Sequence, residues 1–254
     1  MIRFSDPAAF AHALATLPEP DPQERAAAAE RQAELTKPAG SLGRLEEIAV
    51  FIAGWQGTPR PAVERIDVVV FAGNHGCAAR GVSAFPTEVT AQMVANFKHG
   101  GAAINALSHA CGASLAAIPL DLDVPTADIS RAPAMSEAEC LDALNRGAAA
   151  VPEGCQLFVP GEMGIGNTPP AAALCAAALG GEAEGWVGRG TGVDDTILAR
   201  KRALVDAALA LHGTACTNAF ETLRRLGGRG LGVSRSAGAA GVYVDTLQDL
   251  PDAL

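Results

Sequence analysis

Apolar positions along the chain alternate between two periods. IDVVVFAG (66–73) is an unbroken, β-branched run, the pattern of a strand buried on both faces of a parallel sheet. SLAAIPLDLDV (114–124), LFV (157–159) and WVG (186–188) read as further strands. Between these runs the apolar residues recur at helical spacing. Leu42, Leu45, Ile48, Ala49 and Ile52 form one stripe, predicted to be buried, on a helix through LGRLEEIAVFIAGWQ. Val89, Met93, Val94 and Phe97 form another, and a small-residue helix follows to about residue 110. Residues 5–35 read as helical with a break at PEPDPQ (18–23), and 136–151 and 171–179 read as helices. Start signals accompany most of them: Ser5 or Asp6 before Pro7, Asp21 before Pro22, Ser41, Thr87, Ser136 with Glu139 in capping-box spacing, and Asp194–Asp195. The repeated strand–helix alternation predicts an α/β fold, a parallel sheet wrapped by helices on both faces.

In such sheets ligands bind across the carboxyl ends of the strands, and three glycine turns fall there: GNHG (73–76), GEMGIGNT (161–168) and GRGTG (188–192). In the second, Gly161, Gly164 and Gly166 allow a tight turn and close approach of a ligand, and the following helix aims its first amides at an anion. Glu162 and Asn167 add a carboxylate and an amide. The pattern fits a phosphate cradle and, equally, an ordinary strand-to-helix turn. A second loop with Gly190, Thr191 and Gly192, and Lys201 one to two turns along the next helix, strengthens the cradle reading. His75 in the first turn fits a ligand contact, an acid/base or a polar loop residue. Lys37 and Arg44 fit an anion contact or solvated charges; Asp121 and Asp123 fit a magnesium site or loop acids.

Composition narrows the classes. Of 254 residues 49% are hydrophobic and only 4% aromatic, which suits close helix–sheet packing. A formal net charge of −9 argues against a nucleic-acid surface. No apolar run approaches a membrane span and the N-terminus lacks a secretory pattern, so the cytoplasm is the expected location. The six cysteines lack C-x-x-C spacing and read as buried reduced thiols; neither they nor the five histidines form a metal motif.

Taken together, TKPAGSLGRLEEIA, VFAGNHGCAARGVSAFPTEVTAQM, NFKHGGAAIN, GEMGIGNT and WVGRGTGVDD resemble the nicotinate-nucleotide–dimethylbenzimidazole phosphoribosyltransferase family, in that family's order over about 36–228. The resemblance implies transfer of 5-phosphoribose from nicotinate mononucleotide to 5,6-dimethylbenzimidazole in cobalamin synthesis, releasing nicotinate. It implies a homodimer, no metal and no organic cofactor. It implies a Rossmann-like domain at 61–229, a helical N-terminal part of a smaller domain at 1–60, and leaves 230–254 as a divergent tail. By resemblance Glu162 faces the reaction centre. Gly161, Met163, Gly164, Ile165, Gly166, Asn167, Thr168, Gly190, Thr191, Gly192 and Lys201 hold the nucleotide and its phosphate. Asn74, His75, Ser83, Phe85, Gln92 and Met93 line the benzimidazole pocket.

The sequence departs from the family pattern in three places. Pro169–Pro170 follow GEMGIGNT where the family has a second threonine, and Val159–Pro160 stand where it often has Val–Gly. After ETLRRLGGR (221–229) neither an LDGF nor a GEGSGA motif occurs, and the glutamate of the latter is the family's catalytic base. A frameshift, an early stop or a natural short form would each give that pattern, with Glu162 as the motif carboxylate that remains. The competing readings are a catalytically weak nucleotide-binding homologue and a dinucleotide-dependent oxidoreductase. The oxidoreductase is disfavoured, because neither glycine loop fits G-x-G-x-x-G.

Overall fold

Two aspartates start the first helices of the computed structural model, which describes residues 3–230. Asp6 accepts the Ala9 amide at the head of α1 (Pro7–Ala15), and Asp21 accepts those of Gln23 and Glu24 at the head of α2 (Pro22–Glu34). Proline is the first helical residue in both, where its missing N–H costs nothing. α1 joins the main core: the Phe4 and Phe10 rings meet edge to face at 5.2 Å, and Phe10 reaches Phe220.

α3 (Arg44–Gln56) pairs with α2 in a hairpin, and two expectations fail on it. Ser41 does not cap it. The turn through Gly40 and Gly43 leaves Ser41 too early in the chain, and Glu46 instead accepts the Leu42 amide at 3.1 Å and Lys37 at 2.7 Å. The leucine stripe is not buried either: Leu42, Leu45 and Ile48 are 49%, 62% and 43% exposed. The helix instead buries Ala53 and Gly54, and the Arg25 stem of α2 lies on Gly54. Lys37 and Arg44 are paired with Glu46 and Glu47, and the Arg44 pair is solvent-exposed.

β1 (Ile66–Ala72) follows, then a 3₁₀ turn (Gly76–Arg80), α4 (Val89–Lys98), α5 (Ala103–Ala110), β2 (Ser114–Pro119), α6 (Glu137–Ala149), β3 (Leu157–Met163), α7 (Thr168–Leu179), α8 (Ala183–Trp186), α9 (Asp195–His212) and α10 (Ala219–Leu226). The sheet order is β2-β1-β3, all parallel, with Val69 opposite Ala116 and Pro160. β1 is the middle strand. Its residues 68–72 are all buried although they point alternately to the two faces, so both faces are covered. On one face Val69 and Phe71 pack with Leu120 and Ala143 of α6. Pro160 is tolerated because β3 has a sheet partner on one side only among the described residues.

Several expected boundaries shift. The 157–159 strand runs on through Met163, so Gly161 and Glu162 are strand residues, and β2 stops at Pro119. Leu120–Val124 form a turn in which Asp121 takes φ 48° and pairs with Arg146. WVG (186–188) is not a strand. After Gly180 and Gly181, both at positive φ, the chain makes the single turn α8, and Trp186 Nε1 donates to the Gly180 carbonyl. Thr87 does not cap α4; its carbonyl accepts the Thr90 amide instead, in the turn that leads into the helix. All six cysteines are free, but only Cys77 and Cys140 are buried and Cys111 is exposed. The expected divergent tail at 230–254 lies outside the described residues from 231 on.

The capping box of α6 is present. Ser136 Oγ accepts the Glu139 amide at 3.3 Å, and the Glu139 carboxylate accepts the Ser136 amide at 2.9 Å. Ser136→Ala is expected to cost about 1 kcal/mol, measured by urea unfolding at neutral pH. The Ser136 amide and hydroxyl, then Arg229, hold the Glu139 carboxyl below its ordinary value, and Arg224 and Arg225 do so for Glu221. A carboxyl whose pKa is depressed by folding stabilises the fold above its unfolded value. That contribution is lost as pH falls through the lower folded value, so stability declines on acidification across the carboxyl range.

Candidate active site

The glycine turns after β1 and β3 meet at the carboxyl ends of those strands, and the 188–192 loop, which follows no strand, lies beside Thr168. Gly73 N donates to Met163 O at 3.0 Å, which carries the β1–β3 pairing one residue past the strand. There Asn74 turns its amide nitrogen to Leu122 O at 2.9 Å, while its backbone carbonyl accepts the Thr126 amide. Asn74 thus ties the loop after β2 to the end of β1. Its Oδ1 is buried with no hydrogen-bond partner among the described residues.

Glu162 is the centre of the arrangement. Its Oε1 lies 3.3 Å from His75 Nε2 and its Oε2 accepts Asn167 Nδ2–H at 2.5 Å. Both the imidazole and the carboxylate side chains are 1% exposed. An ionised carboxylate has about four lone-pair sites, and two partners leave room for a substrate donor. Removed from water, such a charge acts on a nearby reacting centre more strongly than it would in solvent.

The loop after β3 is held at every residue. Ile165 N donates to Thr90 Oγ1 of α4 at 3.1 Å, the Cys77 thiol to Gly166 O at 3.3 Å, and Asn167 N to Gly164 O at 3.1 Å. Burial pushes the Cys77 thiol up to about 12, which keeps it a protonated donor. Gly164 has no room for a side chain, because a Cβ there would sit on the Gly73 carbonyl oxygen and 3.0 Å from Glu162 Oε1.

These bonds bear on the phosphate cradle. The Ile165 and Asn167 amides are already used, and the second and third residues of α7 are prolines without N–H. The Gly164, Gly166 and Thr168 amides have no hydrogen-bond acceptor among the described residues. The second loop lies alongside: a Cβ on Gly190 would stand 3.6 Å from Lys201 Nζ and 3.8 Å from Thr168 Cγ2. Lys201 is 2% exposed and donates to Gly188 O at 2.6 Å, so its ammonium lies under that loop. Asp194 caps α9 by accepting the Ile197 amide, as its position suggested.

Of the expected pocket residues, Ser83 Oγ accepts the Phe85 amide at 3.2 Å, Phe85 is half exposed, Gln92 is exposed and Met93 is partly buried. They flank Thr90, the α4 residue that reaches the 164–167 loop. Among the described residues no cluster of His, Cys, Asp and Glu has the makings of a metal site. No described helix is long and apolar enough to cross a membrane.

Sequence reasoning missed Thr90, Gly228 and Gly230. Thr90 sits between apolar positions of a helix and looks like a neutral filler; it is fully buried. Gly228 lies against the His75 ring and Gly230 against Glu162, where Cβ atoms would stand 2.7 Å from Nδ1 and 3.0 Å from Cγ. The signal was the cluster GGRG (227–230), read only as the edge of a motif. Thr90→Val would strip the buried Ile165 amide of its acceptor. We expect a loss of about 1–3 kcal/mol, against little change for Thr90→Ser, in parallel thermal and urea unfolding.

Comparison with known proteins follows the same residues. A family model described as Phosphoribosyltransferase matches residues 17–247, beyond both ends of the 36–228 span of the motifs. The nicotinate-nucleotide–dimethylbenzimidazole phosphoribosyltransferase of Novosphingobium aromaticivorans is 57% identical over 245 residues, 96% of this chain and 71% of that protein. Its counterpart in Ruegeria pomeroyi is 53% identical over 236 residues, 93% of this chain and 70% of that protein. The crystal structure of CobT from Thermus thermophilus superposes with a TM-score of 0.76 at 40% identity, covering 85% of this chain and 70% of that one.

Proposed function

Because the chain belongs to the nicotinate-nucleotide–dimethylbenzimidazole phosphoribosyltransferase family, we propose that the site around Glu162 carries that family's reaction. The enzyme is a pentosyltransferase of cobalamin synthesis, moving 5-phosphoribose from nicotinate mononucleotide to 5,6-dimethylbenzimidazole. The comparisons give no support to a catalytically weakened homologue.

Nicotinate leaves as a neutral-ring pyridine, taking the C1′–N bonding pair, because in the mononucleotide its nitrogen is already cationic. Positive charge gathers at C1′ as that bond lengthens, and a carboxylate held out of water at the sheet end stabilises it. The unprotonated ring nitrogen of the benzimidazole forms the new bond to C1′, and the N–H on its other nitrogen is lost. In this proposal Glu162 takes that proton. The single observation behind it is the carboxylate itself, held at one oxygen by His75 of the first turn and at the other by Asn167 of the second.

For binding, Gly164, Gly166 and Thr168 of the first loop and Gly190, Thr191 and Gly192 of the second supply amides to the 5′-phosphate, with Lys201 beneath. Ser83, Phe85, Gln92 and Met93 form the wall for the benzimidazole. The domain division at about residue 60, a Rossmann-like classification, cytoplasmic location and homodimer belong to the same proposal. The α2–α3 hairpin supports the division, whereas α1 packs with the larger core. Incubating the purified chain with nicotinate mononucleotide and 5,6-dimethylbenzimidazole should yield α-ribazole 5′-phosphate and nicotinate in equal amounts by liquid chromatography–mass spectrometry. No product, with both substrates recovered intact, would refute the function.

A further inference from the structure

His75 takes no part in the steps above, yet it is among the most enclosed polar side chains of the protein. Its ring is clamped between two glycines. A Cβ on Gly164 would stand 3.0 Å from Cδ2, and one on Gly228 would stand 2.7 Å from Nδ1. Nδ1 has no hydrogen-bond partner among the described residues, and the ring's polar contact is Nε2 to Glu162 Oε1 at 3.3 Å. A buried ring with one idle nitrogen costs stability, a cost that calls for a role for the other nitrogen.

We propose that His75 is a positioning residue for Glu162, an inference that rests on the function proposed above. With the proton on Nε2, the ring donates to Oε1 while Asn167 donates to Oε2. Two donors on opposite oxygens fix the carboxylate plane and leave one acceptor direction on each oxygen for the incoming base. The tautomer fits the surroundings: Nδ1, facing a glycine, is the nitrogen left bare. Enclosed by Gly164 and Gly228, His75 acts through Glu162 and does not line the benzimidazole pocket.

Two cations near these loops have partners of their own. Arg229, between Gly228 and Gly230 in the chain, gives its guanidinium to Val124 O and to Glu139, and Lys201 gives its ammonium to Gly188 O. Among the described residues, His75 is a titratable group in polar contact with the carboxylate.

The test compares the full chain with His75→Ala and His75→Gln across pH, using nicotinate mononucleotide and 5,6-dimethylbenzimidazole. His75→Ala should lose about 10²-fold in kcat, because the carboxylate is no longer oriented, with KM for the mononucleotide within about threefold. Its acid limb should move to higher pH, since a carboxylate that loses a donor holds its proton more readily. His75→Gln returns an N–H and should recover much of the rate and the original limb. A merely structural histidine would reduce the folded fraction and leave kcat per folded enzyme and the limb in place. That result, or a KM increase at constant kcat, overturns the proposal. Should His75→Ala not fold, Gly228→Ala pushes the ring from the other side and should shift the limb in the same direction. Absence of product from the unsubstituted chain would be a failure of the function alone. His75 is then judged by carbon-13 titration of labelled glutamate, where an unmoved Glu162 carboxyl in the variants overturns its role.

Discussion

Glu162→Gln is expected to lower kcat by about 10²–10⁴-fold while leaving the fold intact. Glutamine keeps the length and an oxygen for Asn167 Nδ2, so the contact of 2.5 Å can persist. What disappears is the negative charge near C1′ and the acceptor for the benzimidazole proton. Because the loss falls on the transition state, kcat and kcat/KM should drop together, with KM for nicotinate mononucleotide little changed. Steady-state assay of nicotinate release reads the effect, and unchanged circular dichroism excludes unfolding. Activity within threefold of the unsubstituted enzyme would remove Glu162 from the chemistry.

Gly164→Ala should have the largest effect on stability. The new methyl would meet the Gly73 carbonyl, a backbone atom that cannot retreat because the Gly73 amide is bonded to Met163 O. It would also press on Glu162 Oε1 and His75 Cδ2, each 3.0 Å away. Overpacking against backbone costs about 3 kcal/mol, which for a chain of this size lowers Tm by roughly 6–12 °C. Gly185→Ala is the control, since nothing stands within 4 Å of its Cβ position. Calorimetry of the two variants separates steric conflict from the general effect of adding a methyl group.

How much of this was legible in the sequence depends on how local the signal is. The β1 run, the Asp6, Asp21, Ser136 and Asp194 caps and the meeting of the 73–76 and 161–168 turns at the sheet end were all readable. Each depends on neighbours within four residues or on the general handedness of parallel sheets. The 186–188 strand was misread because three apolar letters cannot distinguish a strand from the end of a helical turn. The leucine stripe of α3 has correct periodicity, but periodicity says which residues share a face and not whether anything covers it. In the site, Glu162 and Asn167 stood in one motif, and His75 was visible in another. That His75 touches Glu162, that Thr90 supports Ile165 and that Gly228 covers the ring are contacts between residues far apart in the chain. No local pattern encodes them.

The placement of β1 in the middle of the sheet has a consequence for synthesis. β1 leaves the ribosome first, yet β3 begins at residue 157, some 85 residues after β1 ends. At about 5–20 residues per second the VVVF run waits roughly 4–17 s for its second neighbour. During that interval one edge of an apolar, β-branched strand is open to any other nascent chain. Slower translation between β2 and β3 lengthens the exposure, and aggregation on overexpression should rise with it.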